Sequence, residues 1–317
     1  MTICMAPLFY FFDWPTIVDL IEISSYHGIS FTYFYWISSS QETRAILALY
    51  EQEGLAGVNE FPELPNNLES RLLVHGMLVA YQDCLLRNEH TARWTTFLDV
   101  DELFVTSPRY GNLKGYLEAV NPHTMVVSLN WRESCHITTV NGTQTLHPRD
   151  YDLSRLKKVF VLGDHILNKN IVRPIAVAKA HIHTVALKPE YNSKDRFLVT
   201  PTSEVFISHT RLTNNQACNR TLAVIRNDLL TAVNNVSSIW LDRVHRHAYT
   251  IDQIRWGPIN QKRVSYKQLD DCNRKLANED KRCWNGSYEC LKILNGSTDG
   301  NVVVPNAVWL LAPLMHS

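Results

Sequence analysis

The chain has 317 residues, enough for one large α/β domain with an appendage or for two small domains. Hydrophobic residues make up 45% and charged residues 20%, a globular balance that excludes a disordered chain. Lysine plus arginine and aspartate plus glutamate each number 31, so the net charge is zero and gives no electrostatic basis for binding nucleic acid or an acidic membrane surface.

Residues 4–11 form an apolar run of strand length, without the basic start or small-residue cleavage site of a signal peptide. Residues 13–26 then place Ile17, Val18, Leu20, Ile21 and Ile23 at helical spacing, with Pro15 tolerable in the first turn. Gly28 ends that helix, and 31–37 is an aromatic-rich strand. Ser40 is the N-cap expected for a helix over 41–53 whose buried face carries Ile46, Leu47, Leu49 and Tyr50. Gly54 terminates it, and a strand at 55–61, a helix at 68–87 and a strand at 94–98 follow. This alternation predicts a largely parallel sheet with helices on both faces.

Regularity weakens after Asp99. The pattern gives a helix at 113–120, a strand at 125–129 and an irregular polar stretch at 131–156. Short strands at 159–162, 171–172, 178–185 and 205–208 come next, then helices at 220–233 and 237–245. The division expected is a domain over 1–247 and a less regular, cysteine-containing appendage over 248–317.

Seven cysteines cannot all pair within the chain. Cys4 and Cys84 sit in apolar runs and read as buried. Cys272, Cys283 and Cys290 crowd the C-terminal part and can staple it in an oxidising compartment; the zinc alternative lacks a paired C-x-x-C. Asn141, Asn219, Asn235, Asn285 and Asn295 each open an N-x-Ser/Thr sequon, where about three are expected by chance, a tilt towards the secretory pathway. No run reaches the roughly 18 to 20 apolar residues of a membrane span.

The densest chemical signal is Phe97-Leu98-Asp99-Val100-Asp101-Glu102-Leu103-Phe104-Val105. A hydrophobic strand delivers two carboxylates to its C-terminal end, where α/β sheets bind ligands. Such a pair can hold Mn²⁺ or Mg²⁺, hard cations that also accept phosphate oxygens. An ion bridging a diphosphate stabilises charge on a leaving nucleoside diphosphate. The plain alternative is a strand end with solvated acidic residues.

The stretches at 4–10, 28–35, 50–55, 82–87 and 97–102, with Glu22 on the first helix, resemble glycosyltransferase family 92. Ile171-Val172-Arg173-Pro174, His183 and His209-Thr210-Arg211 follow in that family's order, so the resemblance covers residues 3–212. It implies a GT-A fold and a divalent metal, Mn²⁺ or Mg²⁺. It also implies inverting transfer from a UDP-sugar donor, UDP-galactose foremost, to a glycan or glycoconjugate acceptor. The compartment implied is the Golgi lumen, with a type II membrane anchor that is absent from this chain. On the matching positions, Asp99 and Asp101 are the Asp-x-Asp pair and His209 is the late histidine of the metal shell. Pro7, Leu8 and Tyr35 fall near the nucleotide. Thr210 stands where the family often has tyrosine, and Met77 where it often has glutamine.

Other candidates follow from chemistry. An inverting transfer needs a carboxylate to deprotonate the acceptor, and Glu133, Asp150 and Asp152 are available. Arg173 either pairs with the diphosphate or braces a loop. His181 and His183, two apart in the expected strand, either share a site or sit half-buried with satisfied nitrogens. Trp131, Tyr33 and Tyr35 either stack on a sugar or the uracil, or belong to the core. The rival enzyme is a phosphatase-like Rossmannoid hydrolase, whose later acid Asp164 would imitate. Its Asp-x-Asp, however, usually ends the first strand, and Leu103 stands where threonine or valine is usual. The rival of another class is an inactive, glycan-binding relative.

Overall fold

The computed structural model describes residues 1–61, 76–136, 146–211, 224–226, 228–257, 303–304 and 307–311. The first part runs β1 (Thr2–Met5), α1 (Trp14–Tyr26), β2 (Phe31–Trp36), β3 (Ser38–Ser40), α2 (Gln41–Gln52), β4 (Ala56–Glu60), α3 (Met77–Asn88) and β5 (Thr95–Leu98). Then come β6 (Glu102–Thr106), α4 (Leu113–Ala119), β7 (Val126–His136), β8 (Val159–Val172), β9 (Val177–Ala180), β10 (Val185–Leu187), β11 (Phe197–Val199) and β12 (Val205–Arg211). β13 (Val224–Arg226), α5 (Asp228–Arg246), α6 (Ala248–Asp252), β14 (Val303–Val304) and β15 (Ala307–Leu311) complete the described elements.

The main sheet has the order β4-β2-β1-β5-β8-β7-β12-β6, with β11 also on β7 and β13 on β8. β4, β2, β1 and β5 are parallel, as the alternation predicts. Beyond β5 the directions mix: β8 is antiparallel to both β5 and β7, β12 parallel to β7, and β6 antiparallel to β12. Successive side chains of a strand take opposite faces. Ile3, Met5, Phe34, Trp36 and Leu98 therefore join the core under α1, α2, α4 and α5, whereas Cys4, Tyr35 and Phe97 join the one under α3.

Local chemistry explains the first half. Gly28 takes a φ of 88°, and its amide and that of Ile29 bond Ser25 and Ser24 carbonyls, closing the last turn of α1. A Cβ at Gly28 would lie 2.7 Å from that of Lys114, so no other residue fits there without a shift. Ser40 caps α2 by accepting the Thr43 amide at 3.3 Å. Cys4 and Cys84 are buried as expected, and they are also joined in a disulfide fastening β1 to α3. Closing a loop of 80 residues is worth about 4.5 kcal/mol in the chain-entropy account. Neither cysteine stands near the other in sequence, so only the β1–α3 packing exposes the pair.

α5 is clamped over α1 and α2 by charge. Arg243 lies 3.1 Å from the fully buried Glu22 and 2.8 Å from Glu53, which Arg246 and His247 also meet at 2.8 Å. Hydrogen bonding from Arg246 foremost, then His247 and the arginine charges, pulls the Glu53 carboxyl down to about 2. Burial pushes the Glu22 carboxyl up, against the pull of Arg243 and the Tyr50 hydroxyl.

Several expectations past Asp99 need correction. The polar stretch from Trp131 is not irregular at its start: β7 continues to His136 because β8 and β12 flank it and take its backbone groups. The strands expected at 159–162 and 171–172 are one strand, β8, carried through its polar middle by the same ladder. The strand expected at 178–185 is the hairpin β9–β10, with His181 and His183 in its turn, so the two-apart strand geometry does not apply to them. The two helices expected at 220–245 are one helix, α5, beginning at Asp228 and preceded by β13. Leu229, Ala232, Val233, Val236, Trp240 and Val244 keep helical spacing through the polar Asn235–Ser237 interruption. The start expected for the third helix, and the cysteines of the C-terminal part, lie outside the described residues.

Candidate active site

β5 delivers Asp99 and Asp101 to its C-terminal end, and β6 starts at once with Glu102. β5 and β6 stand four strand steps apart, about 19 Å across a flat sheet. The residues from Leu98 to Glu102 can span only about 14 Å. The sheet must therefore curl, and the curl brings β12 and its His209 over the acidic turn.

Each aspartate is held by a different strand. The Lys169 ammonium, from β8, donates to Asp99 Oδ2 at 3.0 Å and lies 3.0 Å from Glu102 Oε2. Glu102 Oε2 in turn accepts the Asp99 amide at 2.9 Å. Asp101 is held by β12: its Oδ2 is 3.1 Å from His209 Nε2, and its carbonyl accepts the Thr210 amide at 2.8 Å and hydroxyl at 3.0 Å. The Asp99 and Asp101 side chains remain 41% and 30% exposed, whereas Glu102 and Lys169 are buried. Both carboxylates thus face outwards from a closed floor.

That floor is dry. Burial, reinforced by Asp99 and Asp101 and opposed by Lys169, raises the Glu102 carboxyl to about 8. Burial also weighs against the Lys169 ammonium, but Glu102 and Asp99 outweigh it and hold its pKa above the usual value. With Asp99 also in reach, the ammonium keeps a carboxylate partner whichever state Glu102 takes. Beneath them, the Tyr81 hydroxyl of α3 is buried with no hydrogen-bond partner among the described residues, and burial together with Asp99 and Glu102 keeps it protonated.

The donor set suits a divalent ion in part. Carboxylate oxygens of Asp101 and an imidazole nitrogen of His209 match the preferences of Mn²⁺. The buried Nδ1 of His209 has no partner among the described residues, and its ring packs on Trp131 with centroids 4.4 Å apart. Among the described residues, no group of three or more His, Cys, Asp or Glu side chains is placed to hold a metal ion. An ion here would draw its remaining ligands from a diphosphate and water, the usual condition for Mg²⁺-like ions at phosphate sites.

The other candidates divide. Register places Glu133 of β7 beside His209, half-buried at the same sheet position, and Trp131 next to it by stacking. Asp150 and Asp152 are exposed near a short 3-10 helix whose neighbour Tyr151 is sunk against Trp14 and Trp240, on the α1–α5 side. Arg173 bonds the Thr124 carbonyl at 2.9 Å and covers Trp94 at 4.4 Å, at the start of β5. Five residues of strand, about 16 Å, separate that point from Asp99, so Arg173 braces a loop there. Leu8 is buried in the core, its amide bonded to the Tyr35 carbonyl and its own carbonyl to Ile37. Pro7 beside it is also buried, so both fix the loop after β1 by packing and backbone. The Tyr35 hydroxyl donates to Asp83 at 2.6 Å, and burial and Asp83 raise its pKa. Tyr33 packs edge-on to Phe31. The His183 ring meets the Asn168 carbonyl at 3.0 Å, and the His181 amide closes the hairpin turn on Thr184.

Lys169, Glu102 and the anchoring role of Thr210 went unread in the sequence. Lys169 did leave a trace: it shares strand parity with the buried Ile171, and a lysine at an inward position requires carboxylate partners.

A sheet half parallel and half mixed, with an Asp-x-Asp turn where the fourth strand ends and a histidine folded over the second aspartate, is an arrangement of the GT-A class. The chain belongs to glycosyltransferase family 92, whose model matches residues 1–261. It is 32% identical over 108 residues to a Caenorhabditis elegans protein named beta-1,4-galactosyltransferase galt-1, covering 33% of this chain and 25% of that one. It is 24% identical over 215 residues to glycosyltransferase family 92 protein F13G3.3 of the same organism, covering 61% and 41%. The chain spans between 22% and 41% of the length of the curated relatives it matches. Among solved structures, it is similar to the Pyrobaculum calidifontis mannosyltransferase PcManGT, in complex with GDP-Man and Mn²⁺, at 10% identity and a TM-score of 0.37, covering 91% of this chain and 84% of that one.

Proposed function

We propose that this domain transfers a sugar, galactose, with inversion from a UDP-sugar to a glycan or glycoconjugate acceptor, in the presence of Mn²⁺ or Mg²⁺. The observation that carries the reading is the Asp101–His209 contact, set beside Asp99 in one outward-facing turn. Asp101 and His209 would hold the ion, and Asp99 would reach the metal–donor complex from the other side of the turn. The ion's chemistry there is to stabilise negative charge on the departing diphosphate. Glu133 is the base of choice, because its register with His209 puts a carboxylate at the same edge. The galactosyltransferase name of one relative supports the donor sugar. The buried Cys4–Cys84 disulfide supports a lumenal, oxidising location such as the Golgi. Among the described residues no helix is long and apolar enough to cross a membrane.

The test is release of UDP from UDP-galactose, with and without Mn²⁺. Metal-dependent release supports the reading, and release that ignores chelation sinks it. Asp101→Ala is expected to remove about a hundred- to a thousandfold of that activity, the range of a lost charge-stabilising group, with the melting temperature nearly unchanged.

A further inference from the structure

Lysine is among the residues least often fully buried, yet the Lys169 side chain is 1% exposed. A buried ion pair adds little stability compared with a neutral packing of the same volume. The reason for Lys169 therefore lies in what it does to its partners. Glu102, wholly buried, fixes the ammonium from below at 3.0 Å. The same oxygen of Glu102 takes the Asp99 amide at 2.9 Å, so Asp99 is gripped at its backbone and at Oδ2 together. Asp101 is tethered away from that grip, to His209 and Thr210. Two aspartates with one residue between them are thus fastened to opposite sides of the curl.

We propose that Lys169 is a positioning residue that occupies Asp99 Oδ2 and keeps this carboxylate off a divalent ion at Asp101 and His209 until a nucleoside diphosphate binds. The inference rests on the metal reading given above and deepens it. A fixed positive charge beside the turn opposes a bare dication. The negative diphosphate reverses that balance, so ion and donor reinforce each other's binding.

The experiment is Mn²⁺ titration followed by electron paramagnetic resonance, with and without UDP, on protein whose near-ultraviolet circular dichroism shows a native fold. Lys169→Met should bind Mn²⁺ alone about tenfold more tightly than the unaltered protein, as Asp99 is released to join the ion, and the tightening by UDP should shrink by the same factor. Should that variant not fold, Lys169→Met/Glu102→Gln removes the cation and its buried partner together and should behave the same way. Asp99→Asn leaves the buried pair intact and removes a nearby charge but no ligand, so nucleotide-free Mn²⁺ affinity should fall by no more than about fivefold. A loss of about a hundredfold or more in Asp99→Asn without nucleotide overturns the proposal, because Asp99 is then already on the ion. Unchanged or weakened Mn²⁺ binding in a folded Lys169 variant overturns it too, the latter marking a merely structural lysine. If the unaltered protein takes up no Mn²⁺ even with UDP, the metal reading itself falls and this inference with it.

Discussion

The parallel half of the sheet and the half beyond β5 are built on different principles. From β1 to β5 the strands are short, β1 and β5 are buried along their whole length, and helices fill the gaps between the strands. From β6 onwards, the strands include long ones that carry polar residues in their paired interiors, Glu133 and Lys169 among them. The first half stabilises, and the second half positions chemistry. A polar residue survives in a strand interior only where neighbours hold the backbone and a partner meets the side chain. That condition makes the second half both reactive and hard to read.

The sharpest way to break this contrast is to alter each half and look for the wrong symptom. Glu133→Gln should cost two to four orders of magnitude in sugar transfer, about what a lost general base costs, with no shift in the urea midpoint. Asp150→Asn should remain within about twofold of the unaltered rate. A reversed order of these two would move the base to the 3-10 helix and off β7. Arg243→Met strikes the first half, leaving buried Glu22 without its cation, and should destabilise by about 3 to 5 kcal/mol in chemical denaturation. Turnover per folded molecule should not change.

His27 sharpens the comparison, since it joins the two halves. Its Nε2 donates to the Phe104 carbonyl of β6 at 3.0 Å, and its Nδ1 accepts the Leu113 amide at 3.2 Å. Burial pulls its pKa from 6.5 down to about 4, so the folded protein binds this proton less readily than the unfolded chain. The stabilisation is fully present above pH 6.5 and fades as pH falls towards 4, by about 3 kcal/mol over that window. Urea midpoints measured across it should fall for the unaltered protein and fall less for His27→Gln. Parallel curves would remove His27 as the acid-sensitive joint.

The legibility of the sequence follows the same division. Helical spacing at Ile17 to Ile23, the Gly28 and Gly54 stops and the Ser40 cap carry local instructions, and α1, α2, β2, β4 and β5 form where these place them. β1 instead covers Thr2–Met5, and the apolar run expected as a strand at 4–11 leaves it after Met5. Asp99 and Asp101 were visible because a hydrophobic strand ends directly before them. His209 was visible through resemblance, and its placement over Asp101 comes from the curl. Lys169 and the continuous β8 were hidden because long-range pairing, not periodicity, stabilises a strand reading Asn168-Lys169-Asn170. His181 and His183 misled for the opposite reason: alternation looked like strand where the chain turns.

The Cys4–Cys84 bond encloses α1, β2, β3, α2 and β4 in one covalent ring. A protease cut anywhere between those two cysteines would leave both fragments attached. On a gel without thiol reagent the nicked protein would migrate as a single species, and only after reduction would it separate in two.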